Sequence, residues 1–286
     1  VQVVPSADGA DALDRAFAHL ASHPGEPAPD PARKADRHVP AVASDYFGTP
    51  GRQVRVIRAT GRGPTAAGRV ILVHPPGSSA AALGALAADL ARHVEVLAVD
   101  LPGHGASDPP PFSAAAGGTL AGTVAQLGDA LGAAAGTGRT TVVTVGATAP
   151  VGIELARRLG PAADVVSLEP PAWSAADVDD WLQSGLPALA AVWSGGHLLE
   201  AWHMVRDGRL FSPWFRRERA GIRPGEPDLD DERIQREVTD LLRANGTWQP
   251  LLRDTLTCPH RPARAGEPRV LELPTAPRDW ATVLGR

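Results

Sequence analysis

The chain has 286 residues and a formal net charge of −4 at pH 7, a length that suits one large domain with an insertion. This weak negative charge gives no electrostatic reason to expect nucleic acid or an anionic membrane as a partner. The single cysteine, Cys258, excludes an intrachain disulfide and a cysteine-based metal site. The sequence also shows neither a histidine–carboxylate cluster with metal-ligand spacing nor a glycine-rich phosphate loop, so we expect no metal and no cofactor.

No signal peptide and no apolar run of about 18 residues, the length that spans a membrane, are recognisable in the sequence. We therefore expect a soluble cytoplasmic protein without a membrane partner, either a monomer or a homodimer. Lys34 is the one lysine beside many arginines, and alanine is abundant. This composition is typical of a GC-rich genome and indicates an actinobacterial source.

In chain order, a short helix is predicted at residues 8–22, followed by a Pro-, Asp- and Arg-rich arm, so that residues 1–50 lie outside the core. From residue 52 onwards apolar strands alternate with helices. The predicted strands are 52–59, 69–74, 94–99, 142–145, 165–168 and 269–273, and the predicted helices follow residue 79 and cover 119–134, 153–159 and 276–284. This alternation predicts an α/β protein with a mostly parallel, doubly wound sheet.

Three motifs stand at the ends of the predicted strands: HPPGSS at residues 74–79, DLPGHGAS at 100–107 and GATAP at 146–150. The last is a tight turn between a strand and a helix, with Thr148 where a nucleophile elbow carries its nucleophile and Pro150 where it carries its second glycine. In this order and spacing, the three motifs resemble the α/β-hydrolase superfamily over residues 52–173. The resemblance implies the α/β-hydrolase fold.

Residues 174–257 break the alternation with helical patterns at 186–206, 230–244 and 247–256; we call this segment the insertion. The resemblance implies that it is a helical lid over a core formed by residues 51–173 and 258–286. The insertion is rich in tryptophan, which favours a hydrophobic or aromatic small molecule as ligand. The same side chains suit equally well a small core of the insertion itself. The candidate ligand-binding residues are Pro76, Ala147, Trp173, His197, Trp202 and His203.

Hydrolysis on this fold needs a nucleophile, a base, an acid and oxyanion-hole donors. Thr148 supplies a hydroxyl, but its branched β-carbon suits the strained backbone of an elbow poorly. A structural role for Thr148, as the cap of the following helix, is the alternative. Pro75 and Pro76 have no N–H at the place where the resemblance implies an oxyanion donor. Glu169, at the end of a strand, is the candidate acid. Alternatively, it is a structural carboxylate at a strand end that pairs with an arginine.

The base is absent from the place that the resemblance implies, shortly after the last strand, because no histidine follows His260. Residues 258–268 are also too few for the strand, acidic loop and helix that the resemblance implies there. Either this unit is lost or the sequence joins across residues that it does not include. His74 is then the candidate proton-transfer group, because it ends the strand next to the elbow, although it could equally anchor a loop, as could His104.

Three functions follow. The resemblance to members without a working triad implies an enzyme of specialised metabolism that cyclises, adds to, isomerises or joins carbon centres of a hydrophobic metabolite, with His74, Thr148 and Glu169 as candidate catalytic residues. The second function is an esterase with Thr148 as nucleophile and an unseen base. The third is a non-catalytic protein that binds and sequesters a small molecule.

Overall fold

The computed structural model describes residues 41–60, 68–110, 118–134, 138–258, 268–276 and 280–284. Within these residues one sheet has the strand order β1-β2-β4-β3-β5-β6-β7. The strands are β1 Ala41–Phe47, β2 Val54–Thr60, β3 Arg69–Val73, β4 Glu95–Val99, β5 Thr140–Val145, β6 Ala163–Leu168 and β7 Val270–Leu273. β3 to β7 run parallel, whereas β2 is antiparallel to β1 and β4. The predicted mostly parallel sheet is confirmed.

Helices cover both faces of the sheet. They are α1 Gly84–Leu90, α2 Gly118–Ala134, α3 Ala149–Leu159, α4 Ala175–Ser184, α5 Gly196–Leu210, α6 Asp231–Arg243, α7 Trp248–Thr257 and α8 Trp280–Val283. α2 and α3 pack on one face of the central strands, and α1 and α8 on the other. Because both faces are covered, β3 and β4 are almost continuously apolar, as is typical of parallel strands in such a position, and β5 is buried along most of its length.

Two predicted boundaries are wrong. Residues 41–47 form the edge strand β1 but were expected to belong to the extended arm, because the sequence AVASDYF has neither an apolar run nor a regular apolar alternation that would indicate a strand. The predicted helix 186–206 begins only at Gly196, because Pro187 has no N–H and Gly195 adopts a left-handed φ of 73°. The predicted helix at 8–22 and most of residues 258–268 lie outside the described residues.

The insertion forms helices α4 to α7 between β6 and β7. Its own apolar core contains Met204 of α5, Val238 and Leu241 of α6, and Trp248, the first residue of α7. Two further tryptophans of the insertion, Trp181 and Trp214, pack against this core. For these three tryptophans, a structural role in the insertion explains the burial. None of the described helices has the length and apolarity needed to cross a membrane.

Two hydrogen bonds tie the insertion to the ends of β3 and β4. The Ser79 hydroxyl donates to Oδ2 of Asp240 at 2.6 Å, and the Thr247 hydroxyl donates to the carbonyl oxygen of Gly103 at 2.8 Å. Gly103 has a φ of 74°, and a Cβ there would lie 2.6 Å from Cγ2 of Thr247. Only glycine therefore fits this contact, since it tolerates positive φ and leaves room for the threonine.

Replacement of Gly103 by alanine tests this contact. We expect Gly103→Ala to lower the free energy of unfolding by about 2–4 kcal/mol, because strain at positive φ adds to a steric overlap. Gly84→Ala is the matched control: Gly84 has a helical φ of −56° and a Cβ there would meet nothing within 4 Å. Urea denaturation of both variants measures the difference, and equal stabilities would contradict the close contact.

Candidate active site

The carboxylate of Asp100 organises the two loops at the carboxyl ends of β3 and β4. Its Oδ1 accepts from the Ala80 N–H at 2.7 Å and its Oδ2 from the Ala106 N–H at 2.9 Å. Arg55 of β2 lies 3.2 Å from the same Oδ2. A Cβ at Gly105 would lie 2.2 Å from this carboxylate. The aspartate and glycines of the DLPGHGAS motif therefore build the loops and do not face a ligand.

His74 anchors these loops. Its Nε2 accepts from the Leu101 N–H at 3.0 Å, which leaves Nδ1 to donate to the carbonyl oxygen of Pro75 at 2.8 Å. Burial lowers the pKa of His74 to about 4. Both ring nitrogens are therefore engaged in a neutral ring, and this geometry favours the anchor over the predicted proton-transfer role. His104 resembles it: Nδ1 contacts the Pro102 carbonyl oxygen at 3.0 Å, and burial lowers its pKa to about 3.

Residues 75–78, which follow β3, form a tight turn that faces the insertion. The Ser78 N–H donates to the carbonyl oxygen of Pro75 at 3.1 Å, and Gly77 has a φ of 83°. Proline followed by glycine at the two central positions is typical of a type II turn. The turn leaves Pro76, a predicted ligand-binding residue, half-buried on the wall of a cavity.

Thr148 sits at the strand-to-helix turn between β5 and α3, and its side chain is fully buried. Its hydroxyl donates to the carbonyl oxygen of Val145 at 2.8 Å and accepts from the Val145 N–H at 3.2 Å. The hydroxyl thus bonds back to the end of β5, and it does not cap an N–H of α3, which was the alternative that the sequence left open. Positive φ falls on Gly146, at 66°, while Thr148 has a φ of −91°.

A cleft of about 990 Å³ opens between the carboxyl edge of the sheet and helices α5 and α6 of the insertion. The core contributes the turn after β3, Val145 at the end of β5 and Glu169 after β6; the insertion contributes apolar side chains and a charged rim. The lining includes Pro76, Gly77, Val145, Glu169, Val205, Leu210, Leu241, Arg209, Arg223, Asp228, Glu237 and Asp240. Open α/β sheets bind ligands at this edge.

Glu169 is held in an unusual backbone conformation at this edge. It is the one described non-glycine residue with a positive φ, 52°, which costs about 1–2 kcal/mol for an L-residue. Its N–H donates to the carbonyl oxygen of Leu273 at 2.7 Å, which extends the pairing of β6 with β7. Among the described ion pairs none involves Glu169, so the arginine pairing that the sequence left open is not found there. The exposed carboxylate lines the cleft.

The other predicted ligand-binding residues do not meet in this cleft. Ala147 and Trp173 line a second cavity of about 690 Å³ beside the elbow. His197, Trp202 and His203 line neither cavity, because α5 turns other residues towards the core of the insertion. Trp202 lies 36% exposed under the guanidinium of Arg206, and Nδ1 of His197 accepts from the Val192 N–H at 3.2 Å.

Neither Ser79 nor Asp240 stands out as a functional residue in the sequence. Ser79 was hidden within a loop motif, and Asp240 within an amphipathic helix, where it follows the buried Val238 and precedes the buried Leu241. Only the fold brings these two residues together. Within the described part of the chain, no group of three or more His, Cys, Asp or Glu side chains is arranged to hold a metal ion.

Comparison with known proteins identifies the family. A sequence model described as the alpha/beta hydrolase family matches residues 70–285. The chain belongs to the alpha/beta hydrolase family. No curated protein matches the sequence of this alpha/beta hydrolase significantly.

Solved structures share the fold of this alpha/beta hydrolase. An epoxide hydrolase from an endophytic Streptomyces superposes with a TM-score of 0.52 and 16% sequence identity, covering 75% of this chain and 72% of that chain. Epoxide hydrolase A from Mycobacterium thermoresistibile gives a TM-score of 0.52 and 18% identity, covering 75% of each chain. At these identities the likeness concerns the fold alone.

The lowered pKa values of the buried His74 and His104 predict that the stability of the fold depends on pH. A folded His74 with a pKa of about 4, against 6.5 for an ordinary histidine, stays neutral while the unfolded chain binds a proton. Its contribution is therefore fully present above pH 6.5 and is lost as the pH falls towards 4. Between about pH 7.5 and about pH 5, we expect the free energy of unfolding to fall by about 2 kcal/mol for His74 and by a similar amount for His104.

Urea denaturation at the two pH values measures this loss. In His74→Asn, which is less stable at every pH, we expect roughly half of the pH dependence to remain, because His104 still contributes. The exposed His203 provides the control, and His203→Asn should keep the full dependence. An unchanged pH dependence in His74→Asn would contradict the neutral, anchored ring.

Proposed function

We propose that this alpha/beta hydrolase is an enzyme that works without an acyl-enzyme intermediate. It holds a hydrophobic small molecule in the cleft between the sheet edge and the insertion, and it moves a proton by means of Glu169. The reactions that need only such positioning and proton transfer are cyclisation, addition, isomerisation and the joining of carbon centres. A hydrophobic specialised metabolite is the corresponding substrate.

The observation that carries this proposal is the state of the Thr148 hydroxyl. A nucleophile must reach its substrate and must be next to a base that takes its proton. The Thr148 hydroxyl is fully buried, exchanges two hydrogen bonds with the backbone of Val145 and lines neither cavity. Among the described histidines, none is hydrogen-bonded to this hydroxyl. Both ring nitrogens of His74 are bonded to backbone atoms of Leu101 and Pro75.

Glu169 supports the second half of the proposal. Backbone strain at a non-glycine residue persists only where the surrounding structure enforces it, and such residues cluster at functional sites. Here the strain brings a carboxylate without an ion-pair partner, among the described residues, to the cleft. Glu169 shares the lining of the cleft with the apolar side chains of Pro76, Val145 and Leu241, so a hydrophobic ligand that fills the cleft lies within reach of a carboxylate.

The two other functions predict different behaviour. An esterase would turn over simple esters with Thr148 as nucleophile, and a sequestering protein would bind a ligand without changing it. Both can be separated from proton transfer with probes that do not require the natural substrate.

Ester hydrolysis is the first test. We expect no turnover of short-chain nitrophenyl esters that depends on the Thr148 hydroxyl. Thr148→Val removes the hydroxyl at nearly constant shape, and Thr148→Ser keeps it; both should match the wild type in nitrophenolate release, although Thr148→Val should be less stable. Robust turnover that Thr148→Ser retains and Thr148→Val abolishes would favour the esterase and contradict the proposal.

Ring opening of nitrobenzisoxazole is the second test, because this reaction needs only a base. The base removes the ring C–H proton, the N–O bond breaks, and a coloured cyanonitrophenolate forms. We expect Glu169→Gln to lower the rate by about 10²-fold, the usual size of a lost acid–base contribution, with binding changed only a few-fold. Glu272→Gln, in the adjacent strand β7 and outside the cleft, is the control. Equal rates in the wild type and Glu169→Gln would remove Glu169 as the base and favour sequestration.

A further inference from the structure

A second carboxyl group faces the cleft from the side of the insertion. Asp240 lies on α6, three residues after Glu237, and both residues line the cleft. Oδ2 of Asp240 accepts the Ser79 hydroxyl proton at 2.6 Å. Oδ1 has no hydrogen-bond partner among the described residues, so one oxygen is fixed and the other remains available to a ligand.

The core holds the Ser79 hydroxyl in a position from which it can donate to Asp240. Its side chain is 3% exposed, and the next residue, Ala80, donates its N–H to Asp100 at 2.7 Å. The same turn places Gly77 against Leu241, the neighbour of Asp240 on α6: a Cβ at Gly77 would lie 2.9 Å from Cδ1 of Leu241. The core therefore fixes the serine, and close packing of α6 fixes the aspartate.

We propose that Asp240, positioned by Ser79, is a second proton-transfer group of the cleft and that it acts on a carbonyl oxygen of the substrate. The inference rests on the proposed function, since it adds an acid on the insertion to the base, Glu169, on the core. The substrate class that follows is a hydrophobic ketone or related carbonyl compound with an acidic C–H next to the carbonyl group.

The step is an enolisation in which protons and electrons balance. The carbon next to the carbonyl gives its proton to the Glu169 carboxylate, and the C–H electron pair becomes the double bond of the enol. The carbonyl oxygen takes the proton of the Asp240 carboxyl group. Nothing is oxidised or reduced, and the enol is the species from which isomerisation, cyclisation and carbon–carbon bond formation proceed.

The surroundings of Asp240, above all its partial burial, raise its pKa and so favour the protonated form. Partial burial raises its pKa, and the nearby carboxylate of Asp100 raises it further. The Ser79 hydrogen bond lowers the pKa, as do Arg243 on the same helix and Arg55 on β2. Burial is the largest of these effects, so the net shift is upward. A carboxylic acid that keeps its proton in an apolar site can donate it to a carbonyl oxygen.

Deuterium exchange of beta-tetralone in D₂O, followed by NMR, tests the proposal. This apolar ketone has an acidic benzylic C–H next to its carbonyl group, and each reversal of enolisation installs deuterium. We expect the wild type to accelerate exchange, and Asp240→Asn to slow it at least tenfold, because the carbonyl oxygen then loses its proton donor. Glu232→Gln, an exposed residue on the same helix, is the matched control.

The Ser79→Ala variant separates positioning from a merely structural contact. Exchange requires protonated Asp240, so it falls as the pH rises through the pKa of this group. Removal of a bond that favours the carboxylate raises that pKa, and we expect the falling limb of the pH profile to move to higher pH in Ser79→Ala. In ¹³C-labelled protein, the carboxyl signal that Asp240→Asn removes should titrate above an ordinary aspartate and shift upward in Ser79→Ala.

The outcomes distinguish the two proposals. Ring opening that depends on Glu169, together with exchange that is insensitive to Asp240→Asn, would overturn this inference and leave the proposed function standing. An Asp240 signal that titrates at or below the ordinary aspartate value would also overturn it. Neither ring opening nor exchange in the wild type would overturn both proposals.

Discussion

The site depends on the hydrogen bonds that the buried carboxylate of Asp100 accepts. By accepting the N–H groups of Ala80 and Ala106, this carboxylate fixes the loops that follow β3 and β4. Those loops hold Ser79 and Gly103, which bond to Asp240 and Thr247 of the insertion. One buried charge, compensated by backbone donors and Arg55, thus determines where the insertion docks and how the cleft is shaped.

The same arrangement explains why familiar motifs of the alpha/beta hydrolase family serve structure in this chain. His74 and Thr148 stand at sequence positions that suggest chemistry, yet the polar atoms of both are engaged by nearby backbone: Leu101 and Pro75 for the histidine, and Val145 for the threonine. The cleft instead has carboxylates on opposite walls, among them Glu169 from the core and Asp240 from the insertion. Chemistry with two carboxyl groups differs from acyl transfer, and it motivates the proposed function.

Most of the sheet could be predicted from the sequence, because buried parallel strands are nearly continuous apolar runs and their order follows from the β/α alternation. Strand β1 could not, since AVASDYF gains its structure only from pairing with β2. Pro76 and Glu169 each follow a predicted strand and lie at the sheet edge, while their predicted roles in binding and catalysis stay predictions. Composition does not indicate where Trp202, His197 and His203 point, because one residue along a helix turns a side chain by about 100°. Ser79 and Asp240 meet across 161 residues of sequence, a contact that no local pattern encodes.

A crystal structure of the protein soaked with beta-tetralone would show whether the cleft, and not the elbow hydroxyl, is the reactive site. We expect ligand density in the cleft, with the carbonyl oxygen next to Asp240, the adjacent carbon next to Glu169, and the Thr148 hydroxyl still bonded to Val145. Ligand density in contact with an exposed Thr148 hydroxyl, and an empty cleft, would contradict that expectation.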